Sequence, residues 1–146
     1  MAGKRYPPDD PREWLRRARG NLMRAESCIP DVILEDLCFD AQQAAEKAIK
    51  AVFICRGEAF PYVHELKKLL RKLQSNGVKI PKYVWEADKL SDYAVATRYP
   101  GEADPVTPRQ HRRAVRIAGA VLRWAERNVE RASFTATAPQ RKDHLP

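Results

Sequence analysis

Cysteine is scarce in this chain: three in 146 residues, at Cys28, Cys38 and Cys55, with no Cys-x-x-Cys pair and no clustered histidine. An odd count at these spacings argues against a disulfide framework or a zinc site and leaves free thiols, expected to be buried. Glycine is also sparse, at six residues, with no Gly-Ser dipeptide and no glycine-rich loop. The phosphate-cradling element that nucleotidyl transfer needs is therefore missing. A Gly-x-Ser-x-Gly elbow is absent too, so a nucleophilic hydrolase has no mount for its serine. No apolar run approaches the roughly 18 to 20 residues of a membrane span, and Met1 to Asp10 lacks the apolar core of a secretory signal. The expectation is a cytoplasmic protein with no membrane contact.

What the chain does have is charge and helical periodicity. Lys and Arg number 27 against 19 Asp and Glu, a formal charge of +8. The excess sits at the ends: residues 1–27 carry +3, residues 28–108 carry −1, and residues 109–146 carry +6. Such asymmetry favours an anionic partner, whether nucleic acid, nucleotide or an acidic protein face.

Asp10, Pro11 and Glu13 combine a capping side chain, a first-turn proline and a carboxylate three residues after the cap. They predict a helix from Pro11 to Ser27, with Trp14, Leu15, Ala18, Leu22 and Ala25 inward. Pro30 and Asp31 start a second, running to Arg56. Its broad inner face is Leu34, Leu37, Cys38, Ala41, Ala44, Ala45, Ala48, Ile49 and Val52. Phe39, Phe53 and Ile54 fall away from that face, which predicts a second buried contact. A leucine-rich third helix spans Val63 to Ser75 and stops at Asn76-Gly77, and a fourth runs from Pro81 to Ala96. Thr107, Pro108 and Gln110 repeat the capping pattern and open a fifth, reaching Ala132. No segment alternates with period two. The fold class is all-α, a five-helix up-and-down bundle over residues 11–132, with an N-terminal extension (1–10) and a flexible tail (133–146).

The second helix reads Cys38-Phe39-Asp40-Ala41-Gln42-Gln43-Ala44-Ala45-Glu46-Lys47-Ala48-Ile49-Lys50-Ala51, followed in order by His64-Glu65-Leu66 and Arg98-Tyr99-Pro100. This ordered set resembles the HEPN family of helical domains (higher eukaryote and prokaryote nucleotide-binding) over roughly Arg12 to Arg131. The resemblance implies a five-helix bundle, usually a homodimer, often encoded beside a minimal nucleotidyltransferase. Some members resemble accessory partners of that enzyme. Others are metal-independent ribonucleases, including toxins of two-component toxin-antitoxin pairs, that carry arginine, four to six residues, then histidine. Here the positions allowed before His64, His111 and His144 hold no arginine, and the nearest miss is Arg56 with His64, seven residues apart. A glycine-containing loop could still join them, so Arg56 and His64 are the candidate catalytic pair. The alternative is that Arg56 decorates a helix C-terminus and His64 starts the third helix with a cap or buried hydrogen bond. No cofactor or metal is implied.

Three further groups are candidate nucleotide or RNA ligands. Gln42, Gln43 and Lys50 climb the polar side of the second helix near Phe39 and Phe53, which favours a semi-buried surface for dimer or ligand contact, adenine or phosphate included, over a solvated face strengthened by the Glu46 to Lys50 pair. On the fifth helix Arg109, Arg112, Arg113, Arg116, Arg123, Arg127 and Arg131 fall within about a 100° arc. This stripe is either a solvating face or a docking surface for RNA phosphates or an acidic nucleotidyltransferase. Arg98, in the loop before the fifth helix, is the third. The leading expectation is an accessory protein that dimerises and pairs with a nucleotidyltransferase; a ribonuclease of the same fold and a plain basic RNA-binding module are the alternatives.

Overall fold

The computed structural model describes residues 5–94, 101 and 104–137. Helix α1 spans Pro11–Glu26, α2 Leu34–Cys55, α3 Leu66–Ser75, α4 Lys82–Trp85 and α5 Pro108–Thr137, and α4 runs straight into a 3₁₀ helix over Glu86–Ala94. No strand occurs among the described residues, so the all-α, five-helix reading describes the fold.

The start signals act as their chemistry requires. The Asp10 carboxylate accepts from the Arg12 backbone N–H at 2.9 Å. At α5 the Thr107 hydroxyl accepts from the Gln110 N–H at 3.1 Å, while the Gln110 side-chain carbonyl accepts from the Thr107 N–H at 2.9 Å, a reciprocal box. The stops are equally physical. Gly57 (φ 68°) and Gly77 (φ 101°) adopt the left-handed conformation after α2 and α3. In both, the next residue's N–H turns back to the helix: Glu58 to the Phe53 carbonyl and Val78 to the Leu73 carbonyl, each at 3.0 Å.

The structure moves several boundaries. Helix α2 begins at Leu34 instead of Asp31, because Asp31 itself takes a left-handed conformation (φ 70°) that no helix can include. Helix α3 begins at Leu66, three residues later than expected, with its first N–H donated to the Ser91 hydroxyl of the 3₁₀ segment at 3.0 Å. His64 therefore lies in the preceding loop. The fourth helix tightens to 3₁₀ geometry after one α turn. Helix α5 continues to Thr137, five residues into the stretch read as tail; the remainder of that stretch lies outside the described residues. Of the three thiols only Cys38 is fully buried, its pKa pushed up to about 11 by that burial; Cys55 is half-buried and Cys28 is exposed.

Helix α2 is the axis of the bundle and packs against α1, α5, α3 and the 3₁₀ helix. Ala41, Ala44, Ala45, Ala48 and Ala51 are all completely buried, which lets neighbouring backbones come close. Phe53, off the alanine face, makes the second buried contact that its position predicts and is completely buried. The loop after α2 folds back so that Phe60 meets its ring edge-on at 6.0 Å. From α5 come Ala114, Ile117, Ala118, Val121, Leu122, Trp124, Ala125 and Val129. The buried His111 brings its Nε2 within 2.6 Å of the Ala25 carbonyl at the end of α1.

This packing makes two testable demands. Leucine at Ala44 has no space beside the neighbouring helices, so Ala44→Leu lowers stability by about 1–3 kcal/mol, seen as a lower urea midpoint with an unchanged slope. Glu13 is held at a pKa of about 2 by hydrogen bonds from Arg16, Arg17 and the Tyr6 N–H. Its contribution is thus complete above the ordinary carboxylate range and lost as pH falls through about 2. Glu13→Gln is destabilising in melts at pH 7, and the difference from wild type closes towards pH 2.

Candidate functional site

The polar row of α2 is not a solvated face. Gln42 is fully buried and Glu46 is 5% exposed, although both stand one helical turn apart on the side away from the alanines. A buried carboxylate is costly unless its oxygens are satisfied and its charge is met. Glu46 Oε1 accepts from Gln42 Nε2 at 2.8 Å, and Oε2 takes the Lys50 ammonium at 2.8 Å. Gln43 Nε2 in turn donates to the Gln42 side-chain carbonyl at 2.8 Å. Burial pushes the Glu46 pKa up, but the hydrogen bonds from Lys50 and Gln42, with the Lys50 charge, outweigh it and leave the group below its ordinary value.

The 57–65 loop closes over this row. Phe60 lies with its ring centroid 4.8 Å from Lys50 Nζ and packs edge-on against Trp14 of α1 at 5.6 Å. His64 follows, its side chain 70% exposed and its Nδ1 3.3 Å from Glu46 Oε1. A histidine that gives its Nδ1 proton to a carboxylate keeps its lone pair on Nε2. The exposed imidazole is thus oriented from beneath by a buried acid.

Arg56 is turned elsewhere. Its Nε donates to Glu58 at 3.0 Å and its Nη2 to the Asn76 carbonyl at 2.8 Å, while the Asn76 amide donates to the same Glu58 oxygen at 2.9 Å. This triad ties the end of α2 to the end of α3. Within one chain, then, Arg56 and His64 engage different partners. Gln42, Gln43 and Lys50 share a single network, and that network includes His64.

The α5 arginines form a separate surface. Arg109, Arg112, Arg113, Arg116, Arg123, Arg127 and Arg131 are all exposed. Arg127 donates to the Tyr83 hydroxyl at 2.7 Å, and the nearby Glu126 is taken by Arg19 of α1 at 2.8 Å. Arg109, Arg112, Arg113 and Arg116 make no ion pair among the described residues. Glu86 on the 3₁₀ helix feels Arg116 and Arg113, but its pKa is lowered chiefly by Lys89, which holds it at 3.0 Å. Arg98 lies outside the described residues.

A family model, the HEPN domain, matches residues 11–128. The chain belongs to the HEPN family. Among solved structures it is similar to TT1696 from Thermus thermophilus, at 33% identity and a TM-score of 0.72, covering 81% of this chain and 97% of that one. It also shares the fold of ST0689, an archaeal HEPN homologue, at 24% identity and a TM-score of 0.67, covering 82% of this chain and 98% of that one. No curated protein matches.

Periodicity alone undervalues three features of this HEPN sequence. It places Glu46 on a semi-buried face, and the fold-back of the 57–65 loop buries it almost completely. It makes Lys47 one more polar residue, yet the Lys47 Nζ reaches Asn21 Oδ1 of α1 at 2.7 Å. The third is α3, whose Leu66, Leu69, Leu70 and Leu73 are buried while Lys67, Lys68, Arg71 and Lys72 are exposed, a second basic face inside a segment of near-zero net charge. Its strict leucine spacing is the available signal. Among the described residues no three His, Cys, Asp or Glu side chains gather as a metal site, and no helix is long and apolar enough to cross a membrane.

Removing the buried acid tests the network. Glu46→Ala strands the Lys50 ammonium, whose side chain is 12% exposed, and costs roughly 3 kcal/mol or more in chemical denaturation at pH 7. Because the folded pKa of Glu46 is lowered, that cost shrinks as pH falls below the ordinary carboxylate range, where wild type loses the same interaction.

Proposed function

We propose that this HEPN protein is an accessory protein that dimerises, pairs with a minimal nucleotidyltransferase, and binds nucleotide or RNA through its basic residues. The observation that carries the binding half is the row Arg109, Arg112, Arg113 and Arg116: exposed guanidinium groups on one helix face, none of them in an ion pair among the described residues. Fixed arginine forks at one-turn spacing suit a phosphate backbone or a carboxylate-rich protein face. Dimerisation and the enzyme partner are supported by the family resemblance of the Ala41 to Ala51 string and the His-Glu-Leu and Arg-Tyr-Pro elements that follow it.

A second reading, a metal-independent ribonuclease, is favoured by one specific observation. His64 is exposed, and its Nδ1 faces a buried carboxylate at 3.3 Å, leaving Nε2 to accept a 2′-hydroxyl proton. Arg56, directed at Asn76, would reach an RNA phosphate only from a partner copy or after releasing that bond.

One experiment separates the readings. Single-stranded RNA incubated with the purified protein in EDTA stays intact if the protein is an accessory, while its affinity falls steeply between about 50 and 200 mM salt. Replacing Arg109, Arg112, Arg113 and Arg116 by alanine lowers the slope of log K against log salt by about 0.7 for each phosphate no longer neutralised. A flat salt response overturns RNA binding by this face. RNA cleavage abolished by His64→Ala overturns the accessory reading in favour of the nuclease.

A further inference from the structure

Lys47 is a half-buried cation whose opposite charges, Asp40 and Glu46, act on it only from beyond contact. It sits on α2 one position beyond Glu46, yet no carboxylate lies within ion-pairing distance among the described residues, and its hydrogen bond goes to the neutral Asn21 amide oxygen at 2.7 Å. Asp40, the nearest acid in that chain of contacts, is taken by the Asn21 amide nitrogen at 2.9 Å and by Arg24 at 3.1 Å. Burial, with the charges of Arg24 and Arg17, lowers the Lys47 pKa and outweighs the opposing pull of Asp40 and Glu46. A partly desolvated ammonium held by a neutral group is costly, and an anion beside it relieves the cost.

There is room for one. Lys47 lines a cleft of about 360 Å³ shared with Arg17, Glu13, Trp14, Tyr6 and Pro8, where the N-terminal segment crosses α1 and α2. Glu13 carries its negative charge at the same cleft, but the two guanidinium groups of Arg16 and Arg17 that hold it more than offset that charge. Arg17 uses only Nε on Glu13, at 2.7 Å, so its terminal nitrogens have no acceptor among the described residues. The rest of the wall is aromatic and rigid. Trp14 is fixed by its indole N–H on the Pro8 carbonyl at 2.7 Å and by Phe60 edge-on, and the Tyr6 ring carries the Arg12 guanidinium at 4.1 Å. Two cations and a fixed indole on the wall of one small cleft match a ligand with an anionic end and a flat apolar body.

We infer that this cleft binds a nucleoside monophosphate, with the phosphate on Lys47 and Arg17 and the base against Trp14. The inference deepens the nucleotide-binding side of the proposed function, and it uses residues that the α5 surface does not.

The test uses the full chain with AMP, GMP, CMP and UMP as probes, read by tryptophan fluorescence and by thermal shift. At least one nucleotide quenches the emission of Trp14 and raises Tm. The matching nucleoside and inorganic phosphate each do so at least tenfold more weakly. Trp14→Phe removes the quenching. Lys47→Met, its fold checked by a melt without ligand because the buried Asn21 oxygen loses its donor, weakens binding tenfold or more. No response from any of the four nucleotides at 5 mM, equal protection by inorganic phosphate, or unchanged affinity in Lys47→Met each overturns the inference. The Arg109, Arg112, Arg113 and Arg116 alanine variant keeps its nucleotide response, so failure of RNA binding by α5 and failure of this cleft are read separately.

Discussion

A helix of 22 residues that is covered on nearly every side must solve the problem of its own polar residues, and in this protein the rest of the structure is arranged around that solution. Alanines on the core side of α2 let α1 and α5 approach; the opposite side carries Gln42, Glu46, Lys47 and Lys50, none of which is fully solvated. Glu46 meets its own charge four residues on, at Lys50, and recruits Gln42 and His64 for its remaining acceptor capacity. Closing the 57–65 loop over that row seats Phe60 between Phe53, Lys50 and Trp14. Loop, core and polar row are therefore one construction, and the exposed His64 is its outer end.

Much of this architecture is legible in the sequence because it depends on local rules. The Thr107 to Gln110 box and the stop at Asn76-Gly77 are short-range hydrogen-bond chemistry, and both occur where the sequence places them. The arginine stripe is a consequence of helical periodicity alone, and its members are exposed. What escapes depends on distant parts of the chain meeting. That Phe53 and the polar row lie on a second buried face is legible, but what buries them, the return of Phe60 with the 57–65 loop, is not. Asp31 breaks the expected start of α2 through a backbone conformation that its neighbour Pro30 does not announce. Arg56 and His64, with seven residues between them, take partners within one chain that no spacing rule foretells: a carbonyl at the end of α3 for one, a buried carboxylate for the other.

Positive charge is used in two distinct ways. On α5 and α3 it is exposed and dense, so it acts at long range and is screened by salt. At Lys47 it is half-buried and single, so it acts over hydrogen-bond distance and is far less screened. The first kind suits an extended polyanion or an acidic protein face, and the second a compact ligand. A net charge of +8 adds the two together and conceals the difference.

The contact between His111 and the Ala25 carbonyl has a consequence for the surface above it. Helix α5 is anchored near its start to the end of α1 by a buried histidine and a neutral oxygen, and at its first turn by the Thr107 and Gln110 side chains. Neither of these two anchors is an ion pair; the ion pair that joins α1 to α5, Arg19 with Glu126, lies about four turns further along the helix. Added salt therefore screens the charge of the arginine row at the start of α5 while leaving the bonds that aim it in place.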